Sequence, residues 1–182
     1  MNSVQPPSIA AACPAPLAVA SKPIVARPST ILALDLGTTT GYAIKPASGQ
    51  IVSGMMGFKP NRFEGGGMVF LRFNHWLSEL NEKAGPIDLV VYEEVRAHRG
   101  TMAAQIYGSF LGHLTAWAEF RDVPYQGVPV GTIKKFIAGK GNADKSQVIA
   151  AVRARGYAPG DDNEADAIAI LLWAIETNGG VR

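Results

Sequence analysis

The sequence predicts an α/β protein built on a mixed five-stranded sheet, with three antiparallel strands extended by parallel ones and helices on both faces. Three observations carry that prediction. Between residues 30 and 57, three short apolar runs are joined by links too brief for anything but antiparallel neighbours. Two further apolar runs, at 87–92 and 124–128, are separated by a long amphipathic stretch. The chain has 182 residues, 47% of them hydrophobic, which is enough to bury the core of one domain.

Taken in order, residues 1–28 carry six of the twelve prolines, no acidic residue, and only Lys22 and Arg27 as cations. That composition cannot bury a core and predicts a disordered Pro/Ala-rich tail, leaving residues 29–182 as the domain. Ile9 to Ala20 faintly mimics a secretory leader, but no charged segment precedes it and Pro14 and Pro16 interrupt it. Strands are expected at about 30–36, 41–46 and 50–57, the last two joined through Pro46 to Gly49. A helix follows to about Lys83, with Met68, Leu71, Phe73, Trp76, Leu77 and Leu80 as its apolar stripe, and Gly85-Pro86 ends it. The fourth strand, Ile87 to Tyr92, runs straight into Glu93 and Glu94.

A basic loop containing Arg96, His98 and Arg99 leads to a helix at about 101–121. Met102, Ile106, Phe110, His113 or Leu114, Trp117 and Phe120 are expected on its apolar side. Gly108 and Gly112, four apart, would let another backbone approach, within the core or across a subunit interface. The fifth strand is Pro124 to Val128. Helices at about 131–138, 143–155 and 163–177 complete the chain, and the element order matches a ribonuclease-H-like sheet.

Charge is distributed unevenly. Net charge is only +2, but residues 95–155 hold nine Lys/Arg against three Asp/Glu, and residues 156–182 hold five acids and one Arg. A basic stretch beside an acidic cluster suits a polyanion held over metal-binding carboxylates; a solvated basic face is the simpler alternative. Asp35 interrupts a buried strand just before a glycine turn, where an unpaired carboxylate costs several kcal/mol. It could cap the Gly37 turn, or belong to a metal centre with Glu93 and Asp166. In the predicted topology the first and fourth strands are neighbours. Asp166 lies in the first turns of the last helix, with Asn163 and Asp162 three and four positions earlier on one face. Carboxylates from three elements then meet at one end of the sheet, a donor set suited to Mg²⁺. His75, His98 and His113 are scattered, and the lone Cys13 excludes an internal disulfide, which fits a reducing cytoplasm.

The stretch from Val130 through Lys134, Gly139, Gly141, Asp144, Lys145 and Gln147 to Val148 resembles the RuvC-type Holliday-junction resolvases, with a possible place in their phage-encoded branch. There a Val-Lys pair precedes Gly-x-Gly-x-Ala-(Glu/Asp)-Lys-x-Gln-Val. Ala165-Asp166-Ala167-Ile168-Ala169 is similar to the family's closing Ala-Asp-Ala-(Leu/Ile)-Ala, and Tyr92-Glu93-Glu94-Val95 to its Ile-Glu-Gln-Val. The resemblance covers about residues 31–175. It implies that Asp35, Glu93 and Asp166 bind two Mg²⁺ ions, for which Mn²⁺ would substitute. It also implies that Lys134 and Lys145 lie near the scissile phosphate, where a cation offsets developing charge. Arg96, Arg99, Lys134, Lys135, Lys140 and Lys145 are then the expected DNA contacts.

Two positions depart from the family. Its fourth metal ligand falls on Asn163, which brings no charge; Asp162 or Glu164 could substitute. An aromatic residue of some members falls on Arg96. The function implied is a homodimeric, cytoplasmic, Mg²⁺-dependent endonuclease that resolves four-way junctions by paired phosphodiester hydrolysis. Rival readings are a nuclease acting on flaps or forks and a non-catalytic branched-DNA binder of the same fold. A third is an ATP-binding fragment, since Asp35-Leu36-Gly37-Thr38-Thr39 is also similar to the first phosphate loop of actin, Hsp70 and sugar kinases.

Overall fold

The computed structural model describes residues 29–96 and 100–179. The expected Pro/Ala-rich tail (1–28) and Arg99 lie outside the described residues. The strands are β1 (Ile31–Asp35), β2 (Thr39–Lys45), β3 (Val52–Gly57), β4 (Leu89–Glu94) and β5 (Tyr125–Pro129). The helices are α1 (Met68–Ala84), α2 (Thr101–Phe120), α3 (Val130–Ala138), α4 (Lys145–Ala154) and α5 (Asp162–Gly179). The strands form one sheet in the order β3-β2-β1-β4-β5. β2 runs antiparallel to both β1 and β3, and the pairs β1–β4 and β4–β5 are parallel. This is the ribonuclease-H-like mixed sheet that the sequence predicts.

Alternation along the strands divides the core into two. Ile31, Ala33, Ala43, Leu89, Val91 and Val128 face α3, α4 and α5. Leu32, Leu34, Ile44 and Val90 face α1 and α2, where Phe58, Phe73, Trp76 and Phe110 pack edge-on or tilted against one another. α5 brings buried Ala165, Ala167, Ala169 and Ala174 along with Ile168, Ile170 and Leu171. These small side chains let the helix axis sit close to β1 and β2.

Helix ends follow local chemistry. α3 stops where Gly139 adopts a left-handed conformation (φ 76°), which a side chain would strain. Asp144 accepts from the Gln147 backbone N–H while the Gln147 side chain accepts from the Asp144 N–H, a capping box that starts α4. Asp161 caps α5 by accepting the Glu164 N–H at 2.8 Å.

Several expectations are corrected. Met68 and Leu71 of α1, and Met102 and Phe120 of α2, are exposed rather than in the core. Val69 is buried in α1 instead, because the helix meets the sheet one position off the expected stripe. Among the described residues nothing lies within 4 Å of a side chain placed at Gly108 or Gly112, so they do not serve a close approach within the core. β4 continues through Glu93 and Glu94, which pair with Val128 and Pro129 of β5, so both acids belong to the strand and do not follow it.

Candidate active site

The two strand carboxylates are placed by register. β1 and β4 pair from Ile31↔Leu89 to Leu34↔Tyr92, so Asp35 and Glu93 stand side by side one step further on. Ile31 and Ala33, like Leu89 and Val91, face α5; by alternation Asp35 and Glu93 project from that same face. Asp166, in the second turn of α5, brings the third carboxylate to them.

The three groups lie near enough for their charges to act on one another. Burial pushes the Asp35 carboxyl up to about 8, the negative charges of Glu93, Asp166 and Asp162 add to the rise, and Lys145 opposes it. Glu93 is raised to about 7 by burial and then by Asp166, against the pull of Lys134. Asp166 is raised to about 6 by burial, with Lys134 opposing, Asp162 adding and Lys145 opposing. Half-buried carboxylates that repel one another are an arrangement that a bound cation would relieve. Their donors are all hard oxygens, with no thiol or imidazole among them, and this set fits a hard divalent ion. Among the described residues, no three acidic, His or Cys side chains approach closely enough to ligate a single ion together.

Lys134 of α3 and Lys145 of α4 are the cations nearest these acids. Lys145 donates to Asp162 Oδ2, which holds the Asp162 carboxyl below its ordinary range. Asp162 is therefore ionised, paired, and one turn from Asp166. Asn163 places its backbone carbonyl against Gly41 of β2. Glu164, the other candidate substitute ligand, is committed elsewhere: it accepts from the Ser53 hydroxyl at 2.7 Å and from the Gly160 N–H at 2.8 Å, tying α5 to β3. Lys135 and Lys140 are exposed near Lys134, and Arg96 is exposed and paired with Glu94.

Three supporting residues were not anticipated from the sequence. A Cβ on Gly41 would lie 2.0 Å from the Asn163 carbonyl oxygen, so only glycine lets α5 begin where it does. A glycine inside a strand signals such an approach, though not the element that makes it. The Tyr107 hydroxyl of α2 donates to the Glu93 carbonyl at 2.8 Å and fixes the end of β4; nothing in the sequence points to it. The buried Thr40 hydroxyl donates to the Gly37 carbonyl at 2.7 Å and closes the turn behind Asp35.

Fold and site together define a ribonuclease-H-like α/β protein with a carboxylate cluster at the end of its central strands. Within that class the chain is RuvC-like. It superposes on Thermus thermophilus RuvC in complex with Holliday junction substrate with a TM-score of 0.66 and 26% identity, over 79% of this chain and 90% of that one. A second Thermus thermophilus RuvC structure gives 0.67 and 24%, over 83% and 96%. The yeast mitochondrial Holliday junction resolvase Ydc2 shares the fold at 0.59 and 15%, over 86% and 81%. No protein-family model matches the sequence, and no curated protein is detectably similar to it.

Proposed function

We propose that this protein is a metal-dependent, structure-selective DNA endonuclease that resolves four-way junctions. The observation that carries the proposal is the convergence of Asp35, Glu93 and Asp166 beside two lysines at the end of β1 and β4. A RuvC that shares this fold has been captured on a Holliday junction, which supports the same substrate here.

In this reading Asp35, Glu93 and Asp166 hold Mg²⁺ or Mn²⁺, with Asp162 or Asn163 completing the set. When bound, the ions supply an activated water and neutralise charge on the phosphodiester. The chain's own residues do the rest. Burial raises the proton affinity of Asp35 most, so Asp35 is the carboxyl whose ionised form a bound cation would favour most. Lys134, half-buried and acting on both Glu93 and Asp166, is the positioned cation for the phosphate at which charge develops. Lys145, restrained by Asp162, supplies a second cation that acts on Asp35 and Asp166. Lys135, Lys140, Arg96 and Arg99 bind phosphates further along the arms. A homodimer presents two such sites to the two-fold symmetry of the junction, and the open Gly108–Gly112 face of α2 is the surface available for pairing.

The test is to incubate purified protein and Mg²⁺ with matched four-way, three-way, flap and duplex DNAs. Paired nicks in the four-way substrate are expected, and Asp35→Asn, Glu93→Gln or Asp166→Asn should abolish them while metal-free binding survives. Cleavage by Asp35→Asn at near the wild-type rate sinks the site. Binding with no cleavage under any metal would make the protein a branched-DNA binder.

A further inference from the structure

Phe63 is 93% exposed, more than any other large apolar side chain among the described residues. Its loop is nevertheless built firmly. The Glu64 carboxylate takes both Arg72 guanidinium nitrogens at 2.7 Å, the Asn61 N–H at 2.7 Å and the Asn61 amide at 2.9 Å. Arg72 also donates to the Lys59 carbonyl at 2.9 Å. Next to this clamp, Phe58 is buried among Phe73, Trp76 and Phe110. The ring is thus displayed by a fixed loop and does not fold back onto the core.

The loop's position links it to the site. β3 ends at Gly57, opposite Thr39, and the Phe58 N–H donates at 2.7 Å to Thr38 in the turn that follows Asp35. The loop therefore leaves the sheet at the end that carries the carboxylates, from the strand two places from β1. Charge agrees: Lys59 and Arg62 are exposed, and Arg72 neutralises Glu64, the loop's one acid. The Arg62 guanidinium lies 5.4 Å from the Phe63 ring centroid. An exposed aromatic ring with a guanidinium beside it, on a loop that also carries Lys59, is the composition that stacks on a base and holds the adjoining phosphates.

We propose that Phe63 is a stacking platform for an unpaired base of branched DNA bound at the active site, with Lys59 and Arg62 against the flanking phosphates. The proposal rests on the nuclease reading and adds a specificity element for unpaired over fully paired DNA.

The experiment measures binding of the full chain in EDTA to a four-way junction and to a duplex of the same arm sequence. Phe63→Ala should weaken junction binding about tenfold and leave duplex binding unchanged. Phe63→Tyr should retain wild-type affinity, and Arg62→Ala should weaken both substrates. An unchanged melting temperature in Phe63→Ala, expected for so exposed a ring, separates stacking from misfolding. Junction binding by Phe63→Ala equal to wild type overturns the platform and leaves the nuclease reading intact. So does an equal loss on both substrates, which would mark a general contact. If wild-type protein shows neither junction preference nor Mg²⁺-dependent cleavage, the nuclease reading fails and the platform falls with it.

Discussion

Asp35 sets the stability of the domain against its chemistry. Its folded pKa of about 8 stands above the ordinary 3.8, so the folded state keeps a proton that the unfolded chain releases. Stability contributed by that proton is present at low pH and lost as pH rises toward 8. In chelator, the melting temperature should therefore fall between pH 5 and pH 8. Asp35→Asn should stabilise the domain by roughly 1–3 kcal/mol at pH 8 and have little effect near pH 4. Millimolar Mg²⁺ should restore the wild-type melting temperature at pH 8 and do so less for Asp35→Asn. A destabilised Asp35→Asn would mean that the carboxylate has a structural partner. Tyr107→Phe removes the hydroxyl that holds the Glu93 carbonyl and should cost about 1 kcal/mol by denaturant melt, with a larger loss in cleavage rate than in binding. Asp35 was legible in the sequence because a charge interrupts an apolar strand. Tyr107 was not, because its role exists only once α2 crosses the end of β4.

At the scale of elements, the placement of α5 decides whether the site exists. Gly41→Ala puts a methyl group into the Asn163 backbone and must push the helix away. Overpacking of this kind costs about 1–3 kcal/mol, and a shift near 1 Å in Asp166 should lower cleavage about 100-fold while junction binding persists. Normal cleavage by Gly41→Ala would show that the approach relaxes elsewhere. The first turn of α5 also decides the fourth ligand. Asn163→Asp should lower the Mg²⁺ concentration for half-maximal cleavage; if Asp162 is the ligand, Asp162→Asn is the damaging change and Asn163→Asp is redundant. Mg²⁺ titrations of both variants separate these cases. Strand and helix order were legible from apolar periodicity and from Gly, Pro and Asp punctuation. The helix stripes were read less well, because Met68, Leu71, Met102 and Phe120 are apolar without being buried. Periodicity reports which side chains are apolar, and packing decides which of them find a partner. The commitment of Glu164 to Ser53, across 111 residues, is likewise a tertiary fact with no local trace.

For the whole molecule, the proposed function makes the uneven charge the feature that would govern how DNA arrives. Binding should weaken with salt at a slope set by the number of phosphate contacts, and Arg99→Ala or Lys140→Ala should each flatten it by about one unit. Unchanged slopes in both would place those residues on an idle solvated face. The close packing of α5 against β1 and β2 bears on the order of assembly. Asp35 and Glu93 come from strands 58 residues apart, and Asp166 follows only after another 73. α5 also supplies Ile168, Ile170 and Leu171, the apolar cover for one face of the sheet. A chain still emerging from the ribosome without α5 lacks the largest part of that cover and the third carboxylate. If the proposed activity holds, stability and the capacity to cut DNA are acquired in the same late step, and an unfinished chain would be inert toward DNA.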